Sequence, residues 1–170
     1  MVVLRHLLAI AILPFTVAIL IPLRIAQRYA IDPAIGSSAA VVALQLAGVA
    51  LGAVGLALFT ASLRRFATEG QGTLAPWDPP RELVVRGPYR YVRNPMISGV
   101  VFVLFGESLV LLSVAHAVWA AGFLTLNLIY IPLIEEPQLK GRFGAAYLEY
   151  CRHVPRIVPR LRPWVPDGTR

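Results

Sequence analysis

The chain has 170 residues, 57% of them hydrophobic and only 15% charged. Soluble globular domains carry roughly a quarter charged residues, so this composition excludes an ordinary water-soluble globule and points to lipid. The formal net charge of +7 does not indicate a nucleic-acid partner, because the arginines flank apolar runs rather than forming a free basic domain.

The sequence predicts an all-α, multi-pass membrane helix bundle with about four spans and a C-terminal amphipathic cytoplasmic helix. Crossing a bilayer takes about twenty apolar residues. The four predicted runs are Leu7 to Leu23, Ala39 to Leu63, Met96 to Val114 and Ala115 to Ile134. The first could also be read as a cleaved signal peptide, but its apolar core is longer than such segments need, and only Arg5 and His6 precede it as basic residues. Pro14 and Pro22 in this run are tolerable kink points, as is Pro132 late in the fourth. The second run carries Gly48, Gly52 and Gly55, small residues spaced to let helix backbones approach closely.

The third and fourth runs touch, forming 39 residues whose only acidic or basic side chains are Glu107 and His116. As one helix this stretch would measure about 58 Å, twice the hydrocarbon thickness. A hairpin turning near Ser113-Val114-Ala115-His116 is therefore predicted. Glu107 lies inside the third run, where an acidic group is expensive and usually finds a protein partner. Thr125 and Asn127 fall near its depth on an antiparallel neighbour. A glutamate lining a substrate path and one serving packing alone are both consistent with this.

Basic residues orient the spans. Six arginines lie in 64–95 and seven lysines or arginines in 135–170, but only Arg24 and Arg28 in 24–38. The positive-inside rule then places both termini and the 64–95 segment in the cytoplasm. Membrane lipids, anionic headgroups included, are expected neighbours. The chain divides into two regions: 1–65 with two spans, and 66–170 with a cytoplasmic loop, a membrane hairpin and a tail. Within the loop, residues 69–80 are rich in Gly and Pro and should be irregular, with Trp77 at headgroup level.

In the tail, Leu139, Phe143, Tyr147 and Tyr150 share one helical face, predicting a helix over 136–152 that Pro155 ends. The lone Cys151 cannot form an internal disulfide and reads as a plain apolar residue; no His/Cys spacing suggests a metal. His6, His116 and His153 fall outside both polar clusters and read as structural.

Those clusters are Arg86 to Asn94, before the third span, and Glu135-Glu136, after the fourth. A hairpin brings both to one end, with the tail helix beside them. Such a pocket could hold a charged cofactor and an apolar substrate.

The stretch GPYRYVRNPMISG, followed after a span by EEPQLKGRFGAAYLEYCRHVPRIVP, resembles the isoprenylcysteine carboxyl methyltransferase and phospholipid methyltransferase group. The resemblance covers roughly residues 70–160. It implies an integral membrane enzyme that uses S-adenosylmethionine to methylate a lipophilic acceptor. The group's first motif reads Arg-His-Pro-x-Tyr-x-Gly. Here Arg93, Pro95 and Gly99 match, Asn94 replaces the histidine and Ile97 the tyrosine. Glu135-Glu136 with Leu139 matches, and so does the trailing pattern Tyr147, Tyr150, Val154, Pro155, Arg156.

On this resemblance, Glu135 or Glu136 suits the cofactor's ammonium or ribose diol. Arg90 or Arg93 suits its carboxylate, and Asn94 can both donate and accept. Pro95 carries the motif, and Gly99 would let the cofactor approach the helix backbone. Tyr89, Tyr91 or Tyr147 would stack on adenine or meet the sulfonium. In-line methyl transfer rests largely on alignment. An amine acceptor would add Glu136 as base, and Arg156 would hold an acidic group of the substrate. Two other readings compete: a nicotinamide-dependent reductase of lipids or steroids, similar over Tyr147 to Pro155, and a non-catalytic membrane adaptor lacking the aromatic contact at Ile97.

Overall fold

The computed structural model describes residues 11–32, 35–69 and 83–165, and every regular element among them is helical. Arg5, His6, the start of the first run at Leu7, and nearly all of the 69–80 stretch with Trp77 lie outside the described residues. In chain order come a π-helical segment Ala11–Leu20, α1 (Ile21–Arg28), α2 (Ala39–Glu69), a 3-10 turn Gly87–Arg90, α3 (Pro95–Val110), α4 (Val114–Tyr130), a π-helical turn Ile131–Glu135, and α5 (Glu136–His153).

Ala39–Arg65 is long and apolar enough to cross a membrane, and so is the helical run Val114–His153, which is kinked at Gly144. At 40 residues the second outlasts the hydrocarbon. Its apolar stretch closes at Ile134, so Glu135 and the rest of the run lie beyond it. Two of the four predicted spans thus meet the length test; α3 has 16 residues, about 24 Å, and falls short of it.

The chain forms two compact units, residues 1–57 with 99–126, and residues 58–98 with 127–170. The first is joined by missing side chains. A Cβ on Gly48 would lie 2.7 Å from the Gly106 carbonyl oxygen, and one on Gly55 would lie 2.6 Å from that of Gly99. The glycines of α2 therefore bring its backbone against α3, as their spacing predicted. Gly99 belongs to this seam, so the role visible for it is helix packing rather than a bed for a cofactor.

Prolines shape the first segment. In π register a carbonyl looks five residues ahead, and for Val17 that residue is Pro22, which has no N–H. The Trp119 indole supplies the missing donor to the Val17 oxygen at 3.1 Å. Buried His116 has its Nε2 3.1 Å from the Pro22 carbonyl and its Nδ1 2.9 Å from the Ser113 hydroxyl, a structural role as expected.

The hairpin turn falls at 111–113, slightly before the predicted position. Ser113 sits at the N-cap of α4, its hydroxyl accepting the His116 backbone N–H at 3.3 Å, so His116 already lies in the helix. Leu112 turns the corner with φ +49°. Thr125 is exposed, and the Glu107 Oε2 atom is buried with no hydrogen-bond partner among the described residues, so the predicted capture of that oxygen is not seen.

In the second unit the predicted tail face is buried. Tyr147, Tyr150 and Val154 form its core, with Leu139, Phe143, Leu83, Val85, Cys151 and Trp164 packed around them. The helix is broken at Gly144 (φ +52°), a conformation glycine adopts without Cβ strain and a point that apolar spacing does not reveal. Upstream, the π turn contains Pro132, whose missing N–H and ring bulk disfavour a regular α turn.

Candidate functional site

The second unit gathers its charges at the start of α5. Pro95 opens α3 at its first helical position, where a missing N–H is harmless, and it is fully buried. Before it the chain leaves the 3-10 turn Gly87–Arg90 and runs through Tyr91 to Asn94 without regular structure. After α5 the chain runs back along them as a strap, with Val154 extended. Arg93 N–H donates to the Pro155 carbonyl at 2.8 Å, and both the backbone and side-chain nitrogens of Asn94 donate to the Arg156 carbonyl at 3.2 Å. Further along, Arg160 N–H donates to Tyr91 at 3.0 Å and Trp164 N–H to Arg90 at 2.9 Å. The fully buried Ser98 hydroxyl lies 2.6 Å from the Ile157 carbonyl and 2.9 Å from that of Asn94, closing the strap onto α3.

Glu136 lies at the centre of this fold-back. Arg156 grips it with two hydrogen bonds, Nε to Oε1 at 2.7 Å and Nη2 to Oε2 at 3.1 Å. Arg93 adds a third cationic contact, Nη1 to Oε1 at 3.0 Å. The side chains of Glu136 and Arg93 are 8% and 10% exposed. Planar guanidinium against carboxylate suits such burial, because the fork satisfies both oxygens at once. Burial alone would raise the Glu136 value; the Arg156 hydrogen bonds and the charges of Arg93, Arg156 and Lys140 outweigh it and hold the carboxyl below its ordinary range. The same hydrogen bonds raise Arg156.

Glu135 behaves oppositely. Burial, then the neighbouring Glu136 charge, push its carboxyl above the usual range, with Arg93 pulling weakly back. It makes no hydrogen bond or ion pair among the described residues. Two adjacent carboxylates are thus driven apart in acidity, a pattern typical of sites that assign different tasks to like groups. Tyr89 lies close enough for the Glu135 charge to add to burial in raising its phenol.

The structure brings together Arg93, Asn94, Glu136 and Arg156, with Glu135 and Tyr89 adjacent. It places Arg90 in a network of its own. The Arg90 Nε donates to the Trp164 carbonyl at 2.6 Å, so this arginine anchors the strap. Tyr147 belongs to both the aromatic core and this cluster: its ring packs 6.3 Å from that of Tyr150, edge to face, while its phenol hydrogen-bonds with Cys151 and lies within electrostatic reach of Arg93, Glu136 and Arg156. Arg156, predicted to hold substrate, instead grips Glu136. Cys151 is a correction: its sulfur lies 2.6 Å from Arg93 Nη1, one helical turn after Tyr147, and so is a polar contact rather than plain filling.

Ser98 and Trp164 were not read as site-shaping residues. Ser98 stands four residues after Asn94, on the α3 face that meets the strap, and this offset was the available signal. Trp164 carried none, because its partners are backbone atoms and the rings of His153, stacked at 5.1 Å, and Tyr150, at 5.9 Å, with no periodic spacing to link them.

Arg93 also keeps a buried Nε with no hydrogen-bond partner among the described residues. An orphan cationic donor beside an unpaired carboxylate is a poor arrangement for a purely structural cluster. It fits a zwitterionic ligand: Arg93 Nε for a carboxylate, Glu135 for an ammonium or a diol. Among the described residues no group of His, Cys, Asp and Glu could hold a metal.

The sequence model of the family described as phospholipid methyltransferase matches residues 43–146, more than half of the chain. No curated protein and no solved structure matches.

Proposed function

The chain belongs to the phospholipid methyltransferase family, and we propose that its second unit forms a site for methyl transfer from S-adenosylmethionine to a lipophilic acceptor. The observation that carries this reading is the unequal carboxylate pair. Glu136 is locked between Arg93 and Arg156, while Glu135 beside it makes no side-chain hydrogen bond or ion pair among the described residues and has its carboxyl raised above the usual range, chiefly by burial. A multi-pass arrangement of about four spans, with both termini cytoplasmic, belongs to the same reading; two of those spans have helices of sufficient length and apolarity.

Bound S-adenosylmethionine supplies an electrophilic methyl carbon on a sulfonium. The remaining work falls to this chain's own residues. The Arg93 guanidinium, whose buried Nε has no partner among the described residues, would serve the cofactor's carboxylate, and Glu135 would receive the ammonium or ribose hydroxyls through charge-assisted bonds. Glu136 and Arg156 fix the position of Arg93, and Asn94 fixes the strap that carries Arg156. Alignment of methyl and acceptor is then the main source of rate.

Glu136, held ionised by two guanidiniums, is a weak proton acceptor and acts in positioning. For an amine acceptor Glu135 is the better-suited base, since its raised value lies nearer neutrality. A carboxylate acceptor needs none.

The test is transfer of labelled methyl from S-adenosylmethionine into a membrane lipid extract by purified, reconstituted protein. Label entering the organic phase, lost in Arg93→Lys, is expected. Absence of transfer together with binding of NADPH would instead support a reductase, and absence of both an adaptor.

A further inference from the structure

Residues 158–165, VPRLRPWV, are not used by the site, yet their geometry is constrained. Leu161 is 98% exposed, Val158 71% and Val165 45%. Single exposed apolar residues are ordinary; three in eight positions on a pinned loop are not. The pins are the Arg160 N–H to Tyr91 and Trp164 N–H to Arg90 bonds, with Arg90 Nε returning to the Trp164 carbonyl. Trp164 is further held by His153, stacked at 5.1 Å, and by Tyr150 at 5.9 Å. A free tail would fold Leu161 inward. This one holds it out between two anchors.

We propose that this loop is an interfacial anchor that seats in a bilayer surface carrying anionic headgroups. Three features select lipid as the occupant. The loop lies near the start of an apolar helix: its pin Tyr91 stands four residues before Pro95, no more than about 14 Å of extended chain. Its backbone is already adapted to a poorly hydrated layer. Pro159 and Pro163 have no N–H, and the N–H groups of Arg160 and Trp164 are bonded, so four of the six residues 159–164 present no free donor. Its charge is complementary to such a surface: Arg162 and Arg152 are exposed and Arg160 half-buried, and the one ion pair any of them makes among the described residues is that of Arg152 with Glu149. Apolar tips between arginines are the pattern of interfacial segments.

The test uses the full chain reconstituted in bilayers, with a dansyl-bearing residue incorporated at 161, which avoids thiol labelling of Cys151. In phosphatidylcholine containing a minority of phosphatidylglycerol, the probe should emit to the blue and be quenched by lipids brominated on their acyl chains. Arg162→Gln should lower the ratio of seated to free probe about five-fold, the factor for one basic residue at an anionic surface. The same probe at Val158, also exposed, guards against a local disturbance at 161. Water-like emission at both positions, quenched by iodide and untouched by brominated lipid, would overturn the proposal. Equal quenching in pure phosphatidylcholine would overturn its anionic part.

Discussion

The two units solve opposite problems. In the first, α2 meets α3 where side chains are absent: Gly48 against Gly106, and Gly55 against Gly99. In the second, the chain closes on buried charge, with Glu136 between Arg93 and Arg156. Lipid explains the first, because apolar surfaces gain little from each other in hydrocarbon and close backbone contact must do the holding. The second needs another account, since buried ion pairs are weak contributors to stability. Such a cluster stabilises little, and among the described residues it leaves one donor and one carboxylate unmatched, the two groups that the proposed site would use.

Substitutions separate these accounts, beginning with the largest effect. Glu136→Ala leaves two guanidiniums without their carboxylate and should destabilise the second unit by about 3–5 kcal/mol. Thermal unfolding in detergent reads this, and a change confined to a fraction of a kcal/mol would deny that the cluster is buried and paired. Gly48→Ala drives a Cβ into the Gly106 carbonyl, where only backbone can yield, and should destabilise by about 1–3 kcal/mol without affecting ligand binding. Ser98→Ala removes the donor to the Ile157 carbonyl and should loosen the strap by about 1–2 kcal/mol. Arg152→Ala breaks only an exposed pair with Glu149, screened by water, and should change stability by less than about 0.5 kcal/mol.

Acid gives a further contrast. Glu136 has a folded-state value below its unfolded one, so the folded protein binds fewer protons. Its contribution is fully present above about pH 4.3 and is lost as pH falls through the lowered value. Hydrogen exchange at decreasing pH should therefore open the strap amides of Arg160 and Trp164 before the α2–α3 seam, which carries no titrating pair. Simultaneous opening would remove the distinction.

Much of this was legible in the sequence, for identifiable reasons. Glycine spacing in α2 announced the seam, because a periodic absence of Cβ has one main use in lipid. The uncharged run through α3 and α4 required a turn, and the turn brought the arginine and glutamate clusters into one unit. Leu139 and Phe143 do pack, half-buried, against the buried Tyr147 and Tyr150, although the helix breaks between the two pairs at Gly144. What could not be read is aperiodic. The strap from Pro155 to Trp164 pairs through backbone atoms, which leave no residue signature. Arg156 and Glu136 each stood out in the sequence as candidates, but no rule of spacing says that they grip one another twenty residues apart. The break at Gly144 and the contact of Cys151 with Arg93 have the same origin.

The central claim concerns Glu135: an unpaired carboxylate, beside a locked one, reserved for a ligand. Equilibrium binding of labelled S-adenosylmethionine to purified wild-type protein and to Glu135→Gln tests it most directly. The account predicts saturable binding in the wild type that falls at least about ten-fold in the variant, the scale of one charge-assisted hydrogen bond, with thermal stability unchanged. Undiminished binding in Glu135→Gln, or no binding by folded wild type, would contradict it.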